Sequence, residues 1–222
     1  MRVLEHVYPS IYSSDHLFFR EELRRVDEAG FKELHVDIQD GVFVPNMSFG
    51  MKVVGGLRRY TEMPFNVHLM VVSPEFYVER LRGVGGIRAV FFHPSSTRYP
   101  SQLITEIARM GAMPGFALNP TEEIAELAYY REMIGGFLVG TGEPDNADGG
   151  FNRGALQKIR RVREQFGEEV EIAVDGGINA ETLPLALGAG ASRFVVGRAI
   201  FGAADMRATL AELEAALGGE HR

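Results

Sequence analysis

Short apolar runs and longer amphipathic segments alternate eight times along the chain, at a spacing of roughly 25 residues. The apolar runs predict strands over 7–11, 33–37, 65–69, 89–92, 113–117, 136–139, 171–174 and 193–196. The intervening patterns predict helices over 17–29, 52–60, 74–82, 101–110, 121–131, 152–166, 180–187 and 205–217. Eight strand–helix units predict an α/β fold, a closed (β/α)8 TIM barrel, with an open doubly wound sheet as the alternative. The count favours the barrel. No linker, low-complexity tract or break in composition divides the 222 residues, so one domain over 1–222 is expected.

The first helix shows how these boundaries are read. Leu17, Leu23, Val26 and Ala29 make an apolar stripe, while Glu21, Glu22, Arg24 and Arg25 fill the opposite face. Asp15 is placed to cap the start, and Gly30 to end the last turn.

Charge and composition exclude several classes. The net charge of −7 is spread along the chain, which argues against a nucleic-acid surface. The absence of cysteine excludes disulfides, thiolate metal sites and a cysteine nucleophile, and fits a cytoplasmic location. No apolar run approaches the ~18 residues that span a bilayer, and MRVLEHVYPS does not read as a secretory signal.

Against that apolar background, the run LHVDIQDGVFVPN (34–46) carries polar residues within a predicted strand. Strand side chains repeat with period two, so His35 and Asp37 share a face. In a barrel that face points inward near the C-terminal end of the strand, where active sites of this fold assemble. NVHLMV brings His68 to a comparable height, and AVDGGIN ends its strand on Asp175. Two histidines and two carboxylates suit a divalent ion such as Zn²⁺, Mn²⁺, Fe²⁺ or Co²⁺. The alternative is four separate half-buried hydrogen-bonding groups. Gly176 and Gly177 follow the seventh strand and Gly197 the eighth, where barrels bind phosphate through backbone N–H groups; ordinary tight turns are the alternative.

Taken together, PSIYSSD (9–15), HVDIQDGVFVPN (35–46), NVHLMVVSPEFYV (66–78), GFALNPTE (115–122), EIAVDGGINAET (171–182) and RFVVGRAIFG (193–202) resemble the ribulose-phosphate 3-epimerase family over nearly the whole chain. The resemblance implies a TIM barrel and one divalent metal ion held by His35, Asp37, His68 and Asp175. It implies reversible inversion at C3 of a ketose phosphate, with Asp37 and Asp175 as the acid/base pair on opposite faces of a planar intermediate. Ser10 is implied to touch the substrate, Met70 to form part of a sulfur-lined cap, and the protein to be a homo-oligomer.

Three departures bear on the substrate. Gln39 stands where the family usually has methionine, and Gly140 lies near the place of another, so only Met70 of the apolar cap remains. The segment GTGEPDNADGGF (140–151) replaces a glycine-rich phosphate loop and carries Glu143, Asp145 and Asp148. These acids either repel a phosphate dianion or point to solvent and leave Gly149–Gly150 as the cradle. Arg198 follows Gly197 where the family often has serine; turned inward, its guanidinium would bind phosphate. His93 in FFHPSST either lines the pocket or makes a structural hydrogen bond, while His6, His16 and His221 read as surface residues.

The expected activity is epimerisation of ribulose 5-phosphate and xylulose 5-phosphate. The alternatives are a 3-epimerase of another ketose phosphate, such as allulose 6-phosphate, and a sugar-phosphate-binding paralogue without turnover. A decarboxylase of the related phosphate-binding barrels would carry Asp-x-Lys; here Asp37-Ile38-Gln39 puts glutamine at the lysine.

Overall fold

The structure, a computed structural model, describes residues 3–143 and 150–218. Asp145, Asp148, Gly149 and His221 lie outside the described residues. Eight strands form one parallel sheet: β1 (Val7–Pro9), β2 (Leu34–Gln39), β3 (Phe65–Met70), β4 (Ile87–Phe92), β5 (Met113–Leu118), β6 (Gly136–Gly140), β7 (Glu171–Asp175) and β8 (Arg193–Val196). From β2 to β8 each strand pairs with the next in sequence, and β1 pairs with β8. A parallel bridge between Ser10 and His35 joins the end of β1 to β2 and closes the ring. The expected (β/α)8 TIM barrel is the observed fold.

Outside the barrel lie α1 (Phe19–Ala29), α2 (Met51–Leu57), α3 (Pro74–Leu81), α4 (Pro100–Arg109), α5 (Ala155–Phe166), α6 (Leu183–Gly188), α7 (Arg198–Phe201) and α8 (Met206–Gly218). Among the described residues no helix is long and apolar enough to cross a membrane. The strands are apolar on both faces because both are covered. Outward side chains such as Val36, Ile38, Val67, Leu69, Val90 and Phe92 pack beneath the helices. Inward, Tyr8, Ala89, Phe91, Ala117, Leu138, Ala173 and Val195 fill the barrel. Large and small residues alternate there for steric reasons. A Cβ on Gly115 would lie 2.5 Å from the Phe91 ring, so this ring occupies the space a side chain on β5 would take.

Arg88 enters the barrel through a bulge. Phe65 is paired with Ile87 and Asn66 with Ala89, leaving Arg88 as the extra residue of β4. Its guanidinium, near the N-terminal ends of the strands, reaches Glu171 at 2.5 and 3.1 Å, Glu33 at 3.2 Å and Asn66 Oδ1 at 3.1 Å. Arg193 adds contacts to Glu171 at 3.2 Å and the Tyr8 hydroxyl at 2.7 Å. Burial works against the charge on Arg88, but Glu171 and Glu33 outweigh it and raise its pKa.

Three local expectations are corrected. In place of a helix over 121–131 there is a 3-10 segment, Ala125–Tyr130. The inward residues there, Ile124 and Leu127, with Tyr130 packed beside them, recur every three positions, the period at which 3-10 side chains line up. Leu17 is 89% exposed and contributes nothing to the α1 stripe. It belongs to a 3-10 turn, His16–Phe18, whose tighter winding carries it off the buried face. Asp15 caps this turn by accepting from the Leu17 N–H at 2.9 Å, and Gly30 ends α1 at φ +94°. Finally, α7 follows Gly197 directly, a helix the periodicity did not reveal because four residues make barely one turn.

Candidate active site

The inward positions at the C-terminal ends of the strands are polar. They surround a cavity of about 960 Å³, lined among others by Ser10, Asp37, His68, Met70, Asp175 and Arg198. Asp37 and His68 are paired residues on β2 and β3, so their side chains rise side by side. Asp175 comes from β7, across β1 and β8 from Asp37. Its backbone carbonyl accepts from the Thr141 N–H at 2.7 Å, which ties the end of β7 to the loop after β6.

Donor atoms of His35, Asp37, His68 and Asp175 all lie within 4.8 Å of one another. Asp37 Oδ1 stands 3.2 Å from both His35 Nε2 and His68 Nδ1, and Asp175 Oδ2 is 3.7 Å from the same His68 nitrogen. Ser10 Oγ donates to the other Asp37 oxygen at 2.6 Å. The set fits a divalent cation: bonds of about 2.0–2.2 Å place neighbouring donor atoms about 3.0–3.5 Å apart. Two imidazoles and two carboxylates suit Zn²⁺, Mn²⁺, Fe²⁺ or Co²⁺.

Without a cation the site holds a proton. Burial disfavours a charge on His68, but hydrogen bonds and charge from Asp175 and Asp37 outweigh it and raise its pKa to about 9. Burial likewise opposes ionisation of Asp37, yet His35 and His68 hold it well below the usual carboxylate range. The metal-free protein is therefore expected to lose stability as pH rises from 6.5 to 9. A raised folded pKa contributes fully below the unfolded value of about 6.5 and nothing above the folded one, here at most about 3 kcal/mol. Asp37 stays ionised throughout that window and adds no slope. Urea unfolding of the metal-free protein at pH 6 and pH 9.5 checks this, with His68→Gln removing most of the difference; equal stabilities at both pH values would contradict it.

Gly176 and Gly177 follow Asp175 with φ +120° and +67°. A Cβ on Gly177 would come within 2.5 Å of the Phe151 nitrogen, and one on Gly176 within 2.6 Å of the Gly142 nitrogen. Only glycine lets these two loops meet. Gly197 precedes α7 beside Ser13, and Arg198, the first residue of α7, is exposed at the cavity edge. Glu143 is exposed and also lines the cavity. Met70 and Gln39 lie together on its floor, Gln39 Nε2 3.8 Å from Met70 Sδ.

The histidines left open by the sequence resolve differently from one another. His93 is buried, with Nε2 3.1 Å from His68 Nε2 and Nδ1 3.4 Å from Glu122 Oε2. Burial, only partly offset by Glu122, holds its pKa below the usual imidazole value. His6 is half-buried against the Ser192 carbonyl and Arg193 rather than on the surface, whereas His16 is exposed and packs on Phe19. Glu122 escaped the sequence reading. Its only signal is the run GFALNPTE, while its role depends on His93, 29 residues earlier.

A closed parallel barrel with two imidazoles and two carboxylates at the C-terminal ends of its strands has its polar groups where enzymes of this fold assemble their active sites, in a donor set able to hold a divalent cation. The ribulose-phosphate 3-epimerase family model matches residues 6–201. A ribulose-phosphate 3-epimerase of Methanocaldococcus jannaschii is 38% identical over 212 residues, covering 94% of this chain and 89% of the relative. One from Bacillus subtilis is 31% identical, covering 93% of this chain and 97% of the relative. The chain belongs to the ribulose-phosphate 3-epimerase family, and with it to the epimerases among the isomerases. Among solved structures, a thiamine phosphate pyrophosphorylase from Pyrococcus furiosus superposes with TM-score 0.64 at 19% identity, over 97% of this chain and 96% of that one. A tryptophan synthase α-subunit from the same organism gives TM-score 0.69 at 15% identity, over 98% of this chain and all of that one. These two similarities speak for the barrel alone.

Proposed function

We propose that this chain interconverts ribulose 5-phosphate and xylulose 5-phosphate by metal-assisted inversion at C3. The observation that carries the reading is the convergence of Asp37 from β2 and Asp175 from β7 on one point of the cavity. The hydrogen on C3 lies beside a ketone and is a weak acid; its removal leaves a planar enediolate. Inversion requires a proton taken from one face and returned to the other. Asp37 removes it and Asp175 supplies its replacement, the two exchanging roles in the reverse direction. A single carboxylate would tend to return the proton to the face it came from.

Bound by His35, Asp37, His68 and Asp175, a divalent cation supplies Lewis-acid stabilisation of the negative charge that develops on the substrate oxygens. Ser10 orients Asp37 through its 2.6 Å hydrogen bond and borders the space for substrate. Met70 gives that space an apolar wall that keeps water from the carbanionic carbon. The phosphate is assigned to the N–H groups of Gly176, Gly177 and Gly197, with Arg198 placed to neutralise its charge.

A second reading is favoured by Gln39. Its amide stands on the cavity floor beside Met70, where it offers hydrogen bonds to a further hydroxyl of a six-carbon ketose phosphate such as allulose 6-phosphate. Steady-state kinetics with the metal-loaded protein on ketose 5- and 6-phosphates and their unphosphorylated forms separates these readings. Ribulose 5-phosphate is expected to have the highest kcat/KM. A preference for the 6-phosphate would favour the second reading, and binding without turnover of any member would favour a sugar-phosphate sensor.

A further inference from the structure

We propose that Glu122 and His93 form a positioning relay that fixes the tautomer and orientation of His68 as a ligand to the divalent cation. The inference rests on the metal site assigned above and extends it to residues that no cation touches. The hydrogen-bond directions follow from valence. His68 turns Nδ1 toward Asp37 and Asp175, so a cation there takes the Nδ1 lone pair and the neutral ring carries its hydrogen on Nε2. His93 Nε2 lies 3.1 Å away, and two ring nitrogens bond only when one donates and the other accepts. His68 therefore donates and His93 accepts. The hydrogen of the neutral His93 ring then sits on Nδ1, the nitrogen that faces Glu122 Oε2 at 3.4 Å.

The far end of the chain is anchored. Glu122 accepts from the Asn119 N–H at 2.6 Å and from Ser95 Oγ at 2.8 Å. Lys158, reaching in from α5, donates to the Asn119 carbonyl at 2.7 Å and the Glu122 carbonyl at 2.5 Å, bracing the turn that carries the carboxylate. Both histidines of the relay are buried, so the bond between their rings is the best shielded of the chain. The contrast with His35 is informative: its Nδ1 is buried and meets no hydrogen-bond partner among the described residues. Of the two ligand imidazoles, His68 alone is held from behind by such a chain. A partner of this kind raises the basicity of the ligand nitrogen and removes the cost of orienting the ring when the cation binds.

Chelator competition with Co²⁺ or Mn²⁺ on the purified protein tests the relay without reference to turnover. His93→Leu keeps volume and removes both bonds; it is expected to weaken cation affinity by roughly 10- to 100-fold and to alter the visible absorption of bound Co²⁺. His93→Gln offers an oxygen to His68 and an N–H to Glu122, and is expected to restore both affinity and spectrum to near wild type. Equal affinities for wild type and His93→Leu, or equal losses in the Leu and Gln variants, would overturn the relay. Should His93→Leu fail to fold, Glu122→Ala interrogates the same chain from its anchored end, with a weakening of cation binding expected and unchanged binding counting against it. Wild-type protein that binds no cation would instead remove the metal site itself, an outcome distinct from failure of the relay.

Discussion

Replacing Asp175 with asparagine is expected to lower kcat by 10³-fold or more while leaving the barrel folded. General acid–base groups typically contribute about 10²–10⁴-fold, and this carboxylate is also assigned to the cation, so both losses fall on one substitution. Asparagine matches its shape but transfers no proton at neutral pH. The position is suited to the test because Asp175 stands at the open side of the cluster, 27% exposed, and touches His68 only at 3.7 Å. Asp37 is a poorer choice. It is buried against two imidazoles and the Ser10 hydroxyl, and its removal strands three polar groups. In the Asp175→Asn protein, Asp37 still reaches one face of the carbon. Exchange of the C3 hydrogen from the epimer presenting that face should therefore survive better than inversion. Retention of a tenth or more of wild-type kcat would contradict the role assigned to Asp175.

The largest expected effect on stability lies at the other end of the barrel. Arg88→Met leaves Glu33 without a cation and Glu171 with Arg193 alone. Breaking a buried ion pair costs about 3–5 kcal/mol; with the Arg88 side chain 26% exposed, about 2–4 kcal/mol is the appropriate range after solvent screening. For a chain of this length each kcal/mol shifts Tm by about 2–4 °C, so a fall of roughly 5–15 °C is expected by calorimetry. Adding Glu33→Gln should recover part of the loss, because the carboxylate left without a cation is removed with its partner, while Glu171 keeps Arg193. The folded variant should keep its kcat, since the network closes the N-terminal end of the barrel and the chemistry sits at the C-terminal end. A Tm within 2 °C of wild type would show the network to be a bystander.

The eight-fold rhythm was legible because each strand is an apolar run closed by a turn, a local property. The inward aim of His35 and Asp37 was legible for the same reason, since alternation along one strand needs no knowledge of its neighbours. What stayed hidden depends on register or on distant partners. Arg88, read within IRAVFF by simple alternation, points outward; the bulge that turns it inward becomes visible only when β3 and β4 are paired. His93 shares the inward parity of Ala89 and Phe91, but nothing near it marks His68 or Glu122 as its partners. Of the acids after β6, Glu143 lines the cavity, which only the meeting of its loop with the end of β7 reveals. Leu17 failed for a different reason, as a helical stripe was extended through a 3-10 turn where the angular step is larger.

Carbon-bound deuterium offers the most direct measurement of two carboxylates working on opposite faces of one carbon. The metal-loaded protein, given ribulose 5-phosphate in D₂O and followed by proton NMR, should form xylulose 5-phosphate carrying a single deuteron at C3 and none at C4. Inversion that leaves solvent hydrogen out of C3, or deuterium that enters C3 without any inversion, would contradict the pairing of Asp37 with Asp175.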